Sequence, residues 1–186
     1  LVQQISVNAV IAFGMTLVIL IGGIDLSVGA LLALVGTATV YVVGLGSPDV
    51  QSGWTLVAVL AGLGVAIVFG VFNGFSAAAT GLPPFIITLA TMLVARGAAL
   101  RFNEGKPIAI HDAQTVLLAI GNGRILGIPY PVVIMLAVFA VTAILLHWTL
   151  FGQHLYAIGG NREAARLSGI PILRLQVIVY VIASLL

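Results

Sequence analysis

The chain has 186 residues, 61% of them hydrophobic and 6% charged, with seven Lys or Arg, five Asp or Glu and no cysteine. Soluble domains carry about 25% charged residues, so this composition excludes a soluble globular protein and predicts an integral membrane protein. The few, scattered basic residues exclude a nucleic-acid surface, and the lack of cysteine excludes disulfides, thiolate metal sites and cysteine nucleophiles.

The uncharged stretches predict one all-α, polytopic transmembrane bundle over residues 1–186. A spanning helix needs about 20 mostly apolar residues, and Gly81-Leu-Pro-Pro84 divides the longest stretch because proline favours a first helical turn. The expected spans are residues 5–22, 26–45, 54–78, 84–101, 129–150 and 175 onward. The twelve residues after Arg174 reach only about 18 Å of a bilayer core about 30 Å thick. We therefore expect five complete spans and one truncated span, in a fragment that is incomplete at both ends.

An acidic residue lies between the first two spans, in the stretch Gly22-Gly-Ile-Asp-Leu-Ser-Val-Gly29. The two glycines weaken the preceding helix, and Asp25 is of a type preferred as the N-cap of the next. A buried carboxylate in lipid is expensive, so Asp25 should face a cavity, a partner or the interface. Two interpretations stay open: a cap at a helix break, or a hinge or gate beside a transport path, where transporters often have broken helices. Ser27 is a candidate for the same path or gate.

Small residues recur at every fourth position of the third span. They are Ala58, Gly62, Ala66, Gly70, Gly74 and Ala78. In lipid, close backbone approach supplies the contact that the hydrophobic effect cannot. The pattern therefore favours helix packing over the lining of a pore, and Gly70→Leu is expected to disrupt assembly.

Four polar residues lie inside the third and fourth spans: Asn73, Thr88, Thr91 and Arg96. The last three, with Ala95, come close together at helical spacing, and Arg96 is near enough to the helix end to snorkel to the interface. Each of the four is a candidate either for bonding within the bundle or for the polar wall of a translocation path.

Two long connections, residues 102–128 and 151–174, carry most of the charge. Lys and Arg accumulate on the cytoplasmic side of a membrane protein, but here the two sides tie. One side has Arg101, Lys106 and Arg124, and the other has Arg162, Arg166 and Arg174. Charge alone therefore leaves the orientation open.

No catalytic or metal-binding pattern emerges from the sequence. His147 and His154 lie at the end of the fifth span, where Trp148, Phe151 and Tyr156 are typical of an interfacial belt rather than of a ligand pair. No nucleophile, base and orienting group occur together, and the Gly105-Lys106 pair lacks the upstream glycine of a phosphate-binding loop. We expect no enzyme activity, no metal and no cofactor bound by this chain.

A short helix over residues 162–168 is predicted in the second long connection. Asn161 can cap it, and Glu163 in its first turn can pair with Arg166. Gly169 suits the position after the helix, and Pro171 prevents its continuation. The helix is either part of a solvated connector or a surface element that docks into a groove of another protein.

Three stretches in register resemble the ribose-type sugar permeases of ABC importers. They are Gly22-Gly-Ile-Asp-Leu-Ser-Val-Gly29, Phe85-Ile-Ile-Thr-Leu-Ala-Thr-Met-Leu-Val-Ala-Arg-Gly97 and Tyr156-Ala-Ile-Gly-Gly-Asn-Arg-Glu-Ala-Ala-Arg-Leu-Ser-Gly-Ile170. Within the third, Glu163-Ala-Ala-x-x-x-Gly169 resembles the EAA loop that couples such permeases to their ATPase, although the later Leu-Pro pair of that loop is absent.

The resemblance implies a multi-pass subunit of the bacterial inner (plasma) membrane that imports a monosaccharide such as ribose. Residues 151–174 would be cytoplasmic and residues 102–128 periplasmic, facing a substrate-binding protein. ATP and Mg would be bound by a separate ATPase subunit, and a second permease subunit, forming a homodimer, would complete the path. The contact with the ATPase would involve Gly160, Asn161, Arg162, Glu163, Ala164, Ala165, Arg166, Leu167, Ser168 and Gly169. The alternatives are a permease for another small solute such as a branched-chain amino acid, a secondary transporter and an intramembrane enzyme.

Overall fold

The computed structural model describes residues 2–44, 51–102, 105–106 and 115–186, without the side chains of residues 51–53 and 115–118. In that part of the chain the helices are α1 (Val2–Leu20), α2 (Val28–Gly44), α3 (Gln51–Ala79), α4 (Pro84–Phe102), α5 (Thr115–Asn122), α6 (Tyr130–Trp148), α7 (Leu150–Gly160), α8 (Arg162–Leu167) and α9 (Ile172–Leu185). Two short antiparallel strands, β1 (Arg124–Ile125) and β2 (Ile128–Pro129), precede α6. The prediction of an all-α membrane bundle is confirmed.

Within the described residues, four helices are long and apolar enough to cross a membrane: α1, residues Trp54–Ala79 of α3, α4 and α6. The second predicted span is the 17-residue α2, which reaches about 26 Å, somewhat less than a bilayer core. It is shorter than expected because the turn around Asp25 takes up the residues before Val28. The predicted end of that span at residue 45, and most of the connection 46–53, lie outside the described residues.

Antiparallel packing of neighbouring helices defines the two ends of the bundle. Helix α9 packs against α1 and α3, while α2 packs against α3 and α4. Gly74 and Gly70 of α3 approach Val177 and Val181 of α9, so these two helices run in opposite directions. The ends of α1 and α3 therefore lie near α8, whereas the side chain of Gln3, at the start of α1, donates to the Gly121 carbonyl in the last turn of α5. Helix α8 and the last turn of α5 consequently lie at opposite ends of the bundle.

The main apolar cluster lies at the α8 end, between α1, α6, α7, α8 and α9. Its buried members are Leu17, Val18, Ile21, Leu146, Leu155, Ile158, Ala165, Leu175, Val179, Tyr180 and Ala183. Many large apolar side chains elsewhere point outward, as a lipid-facing surface requires. This cluster seats α8 against the bundle through Ala165.

The segment 151–174 is more ordered than a solvated connector. Helix α7 starts directly after Thr149, whose hydroxyl accepts a hydrogen bond from the Gly152 amide. Leu155 and Ile158 are buried in the apolar cluster, which explains why residues 150–160 form a packed helix. The sequence signal was the helical spacing of apolar residues, which the polar neighbours Gln153 and His154 obscured.

The segment 102–128 also contains structure that the sequence analysis did not predict. Helix α5 and the β1–β2 hairpin occupy its second half, while residues 103–104 and 107–114 lie outside the described part. Leu126 and Gly127 form the two-residue turn with φ values of 51° and 83°. Positive φ at both central positions is typical of a type I′ hairpin turn.

Candidate functional site

The break between α1 and α2 is built by two glycines. Gly22 has a φ of 74°, which costs glycine little because it has no Cβ. Its amide donates to the Ile19 carbonyl and that of Gly23 to the Val18 carbonyl, both at 2.9 Å. This is the Schellman pattern that ends helices, and it turns the chain toward Asp25.

Asp25 is buried, with 6% of its surface exposed, and it organises the start of α2. Its Oδ1 accepts hydrogen bonds from the amide of Ser27 at 2.8 Å and from the hydroxyl of Ser27 at 2.5 Å. Because α2 begins at Val28, Ser27 and not Asp25 directly precedes the helix. The prediction of Asp25 as the N-cap residue is therefore wrong by two positions. Ser27 occupies the N-cap position, and the Asp25 carboxylate bonds to Ser27.

Ser27 continues the hydrogen-bonded chain into α3 and α4. The amide of Asn73 donates from Nδ2 to the Ser27 hydroxyl at 3.0 Å, and the hydroxyl of Thr91 lies 2.6 Å from Asn73 Oδ1. The hydroxyl of Thr88 accepts from the Leu26 amide at 3.1 Å. We call these residues the polar cluster: Asp25, Ser27, Asn73, Thr88 and Thr91.

Every residue of the polar cluster is at least 94% buried. Four of the side chains bond to one another in a chain, and the hydroxyl of Thr88 bonds to the backbone of Ile24 and Leu26. Burying a polar group without a hydrogen-bond partner costs roughly 2–7 kcal/mol. The hydrogen bonds of the cluster remove most of that cost. The cluster therefore joins the helix break to α3 and α4. Five of the six path candidates are brought together in this way.

Arg96, the sixth path candidate, lies apart from the polar cluster. Its side chain is exposed and lines a cavity of about 570 Å³ between α2 and α4. The other lining residues are Leu26, Gly29, Ala30, Ala33, Thr37, Met92, Ala99, Leu100, Gly105 and Lys106. The lining is thus mostly apolar and rich in small residues, and it includes the basic side chains of Arg96 and Lys106.

The row of small residues on α3 packs against two neighbouring helices, first α2 and then α9. A Cβ built on Gly62 would collide with Thr39 of α2, while one on Gly70 or Gly74 would come within 2.7 Å of the Cα of Val181 or Val177 on α9. Ala58 and Ala66 are buried as well. The row lies in contacts within the chain, so Gly70 bears first on the folding of the subunit and not on its oligomerisation.

Helix α8 spans Arg162–Leu167 and has the local signals that the sequence contains. Asn161 Oδ1 accepts from the Ala164 amide at 2.9 Å, and Arg166 bonds to Glu163 at 2.8 Å with both side chains more than 60% exposed. Gly169 has a φ of 80°. An exposed pair of this kind contributes about 0–1 kcal/mol to stability, so these charges remain available to a partner.

Two residues that sequence analysis missed tie this region to the bundle. Arg162 donates from Nη2 to Oε1 of Gln176 at 2.6 Å, and Gln176 is 98% buried on α9. One helical turn further on, Tyr180 is fully buried, and its hydroxyl finds no hydrogen-bond partner in the described part of the chain. Gln176 was detectable as a lone amide in an apolar span, but its partner was not.

A second cavity, of about 670 Å³, opens beside α8. Its lining consists of Ala78, Arg162, Glu163, Arg166, Ile170, Pro171, Ile172, Leu173 and Arg174. Three guanidinium groups and one carboxylate give it a positive character. Over the described residues, no group of three His, Cys, Asp or Glu side chains could hold a metal ion.

Comparison with known proteins identifies relatives along the whole chain. The family model described as branched-chain amino acid transport system / permease component matches residues 1–186. The chain is 42% identical over 186 residues to the ribose import permease protein RbsC of Bacillus subtilis, covering 100% of this chain and 56% of that protein.

Two further relatives come from Escherichia coli. The ribose import permease protein RbsC of strain K12 is 43% identical over 188 residues, covering 100% of this chain and 57% of that protein. The L-arabinose transport system permease protein AraH is 36% identical over 181 residues, covering 97% and 53%. The chain thus spans about half the length of these relatives. No solved structure matches it.

Proposed function

This chain belongs to the branched-chain amino acid transport system / permease component family, and from that membership we propose that it is a membrane-spanning part of an ABC importer permease for a monosaccharide, ribose or a similar sugar. The observation that carries the proposal is the match of the whole chain to ribose import permeases at 42–43% identity. ATP and Mg are bound by a separate ATPase subunit, and the permease has no catalytic site of its own.

Helix α8 is the coupling helix in this proposal. Its charged side chains Arg162, Glu163 and Arg166 are exposed, while Ala165 is buried against the apolar cluster. A helix that is seated on one side and charged on the other can dock into a partner and still move with the bundle. The contact with the ATPase runs over residues 160–169, and the positive cavity beside α8 suits acidic groups of that partner.

The orientation follows from the same assignment. If α8 meets the ATPase, residues 151–174 are cytoplasmic, and the β1–β2 hairpin at the other end of the bundle is periplasmic. The hairpin and α5 then face the substrate-binding protein. The proposed location is the bacterial inner (plasma) membrane, with a second permease copy completing the central path.

The cavity between α2 and α4 is the proposed translocation surface, since it is wide enough for a small solute and carries the guanidinium of Arg96. Guanidinium N–H groups donate hydrogen bonds, and sugar hydroxyls accept them. The polar cluster is assigned a different role: it holds the α1–α2 break against α3 and α4, because its polar atoms already bond to one another or to the backbone of the break.

The proposal is tested by charge reversal in the full-length gene product. Arg162→Glu combined with Arg166→Glu is expected to abolish co-purification of the ATPase and ATP-dependent uptake of ribose. Arg124→Glu, a matched reversal at the opposite end of the bundle, is expected to leave ATPase co-purification intact. Retention of the ATPase and of uptake by the double variant would refute the coupling assignment.

A second candidate substrate is a branched-chain amino acid, which the description of the matching family model favours. Uptake of labelled ribose, arabinose and leucine into proteoliposomes that contain the assembled complex distinguishes the two. We expect ribose uptake that requires ATP. Uptake of leucine instead of ribose would indicate a branched-chain amino acid permease. Uptake driven by an ion gradient without the ATPase would indicate a secondary transporter.

A further inference from the structure

The helix α8 is attached to the bundle at both of its ends. At its C-terminal end, the Ile170 amide donates to the Ala165 carbonyl at 3.1 Å and the Gly169 amide to the Arg166 carbonyl at 3.0 Å, which closes the turn toward α9. At its N-terminal end, α8 follows the packed helix α7 with only Asn161 between them, and the side-chain hydrogen bond from Arg162 Nη2 to Gln176 Oε1 at 2.6 Å links it directly to α9.

The two attachments differ in stiffness. The link between α8 and α9 contains Gly169 at a positive φ, a backbone conformation that glycine adopts freely, so that α8 could swing about this link if it were held there alone. The hydrogen bond from Arg162 to the second turn of α9 opposes that swing, together with the burial of Ala165 in the apolar cluster. A hydrogen bond between a charged and a neutral group is about twice as strong as one between two neutral groups. It can therefore hold α8 and α9 together while α8 moves.

Helix α9 connects this bond to the rest of the bundle. Gly70 and Gly74 bring the backbones of α3 and α9 into direct contact. On α1, a Cβ added at Gly14 would lie 3.1 Å from the Cα of Ala183. Such close contacts leave little room for independent sliding. Helix α3 in turn carries Asn73, which bonds to the helix break at Ser27.

We propose that the Arg162–Gln176 hydrogen bond transmits movement of α8 to α9, which makes Gln176 a positioning residue for the coupling of ATP hydrolysis to transport. This inference rests on the proposed function, because it requires α8 to be moved by an ATPase. Gln176 is itself 98% buried, so it cannot form part of the surface that the ATPase touches. Its effect on transport must act through Arg162.

The test compares three variants of the full-length gene product, assembled with the ATPase and the binding protein in proteoliposomes. Gln176→Leu removes the acceptor at similar volume, and Gln176→Glu keeps an acceptor for Arg162. Gln153→Leu is the matched control, because Gln153 lies exposed on α7. The quantities measured are ATPase co-purification, ATP hydrolysis and sugar uptake per ATP hydrolysed.

Gln176→Leu is expected to retain the ATPase and its hydrolysis rate while uptake per ATP falls about tenfold, the factor that one hydrogen bond to a charged group can supply. Gln176→Glu and Gln153→Leu are expected to keep the wild-type ratio. An unchanged ratio in Gln176→Leu, or an equal loss in Gln153→Leu, would overturn the inference. Absence of the ATPase from the wild-type complex would instead overturn the proposed function, and this inference with it.

A second comparison covers the case in which Gln176→Leu does not assemble. Arg162→Met alters an exposed side chain, so the subunit should fold, and it removes the donor of the same bond. Its uptake per ATP is expected to fall about tenfold or more, because Arg162 also belongs to the proposed ATPase contact, and this result does not require Gln176→Leu to assemble. Where Gln176→Leu does assemble, the double variant is expected to fall no further than Arg162→Met alone. A wild-type ratio in Arg162→Met, or losses that multiply in the double variant, would contradict a shared bond.

Discussion

Asn73 donates a hydrogen bond of 3.0 Å from Nδ2 to the hydroxyl of Ser27, 46 residues earlier in the chain. Its Oδ1 lies 2.6 Å from the hydroxyl of Thr91 on α4. One buried amide therefore joins the α1–α2 break, α3 and α4. Where three elements share one side chain, its removal affects all of them.

Replacement of Asn73 by alanine is expected to destabilise the subunit by about 1–3 kcal/mol, because the hydroxyls of Ser27 and Thr91 lose a buried partner. Asn8→Ala is the matched control, since Asn8 lies exposed on α1. Thermal unfolding in detergent measures both variants. Equal stability of Asn73→Ala and the wild type would show that the polar cluster contributes nothing to the fold.

Replacement of Gly70 by alanine is expected to destabilise the subunit by about 1–3 kcal/mol through overpacking. The added Cβ would lie 2.7 Å from the Cα of Val181, which is backbone and cannot rotate away. Gly64→Ala on the same helix meets open space and should be neutral or slightly stabilising, because alanine favours helix. The measurement is again the unfolding midpoint, and a smaller loss for Gly70→Ala than for Gly64→Ala would contradict the packing seen at α9.

Two substitutions of Asp25 separate the effect of its charge from that of its hydrogen-bond acceptor. Asp25→Asn keeps an oxygen that can accept from the Ser27 amide, whereas Asp25→Ala leaves both Ser27 donors without it. We expect Asp25→Ala to lose about 1–3 kcal/mol of stability and Asp25→Asn to unfold near the wild-type midpoint. Loss of uptake in a stable Asp25→Asn subunit would identify the charge itself as part of a gate, while equal destabilisation of both variants would contradict the acceptor role.

Tyr180→Phe is expected to leave stability unchanged or to raise it by about 1 kcal/mol. The hydroxyl of Tyr180 is buried without a hydrogen-bond partner in the described residues, and an unsatisfied buried polar group costs free energy. Tyr41→Phe serves as the control, because Tyr41 is 45% exposed. A clear fall in the unfolding midpoint of Tyr180→Phe would mean that the hydroxyl has a stabilising partner.

Helix α8 illustrates what could be predicted from sequence. Its cap Asn161, its pair Glu163–Arg166 and the glycine after it act within nine residues of one another, and local signals of this kind depend little on the rest of the fold. Helix α7 was missed because its stability comes from burial of Leu155 and Ile158 in the apolar cluster. That burial depends on α1, α6 and α9, which the local sequence does not describe.

The polar residues of α4 illustrate the opposite case. Helical spacing placed Thr88, Thr91 and Arg96 near one another, and no local signal separates them. In the structure, Thr88 bonds to the helix break and Thr91 to Asn73, whereas Arg96 lines the cavity beside α2. The separation depends on the neighbours that each part of α4 meets: the α1–α2 break and Asn73 of α3 meet the threonines, and the cavity lined by α2 meets Arg96.

The sequence by itself determined the membrane class, the helical content and the ends of the short helix, because charge fraction, apolar length and capping are local or additive properties. The tertiary structure decided which polar residues bond to which: Thr88 with the backbone of Ile24, Asn73 with Ser27, and Arg162 with Gln176. These partners lie 64, 46 and 14 residues apart. Their meeting depends on how the helices pack against one another, for α3 on how closely Gly62, Gly70 and Gly74 let α2 and α9 approach, and local sequence does not contain that information.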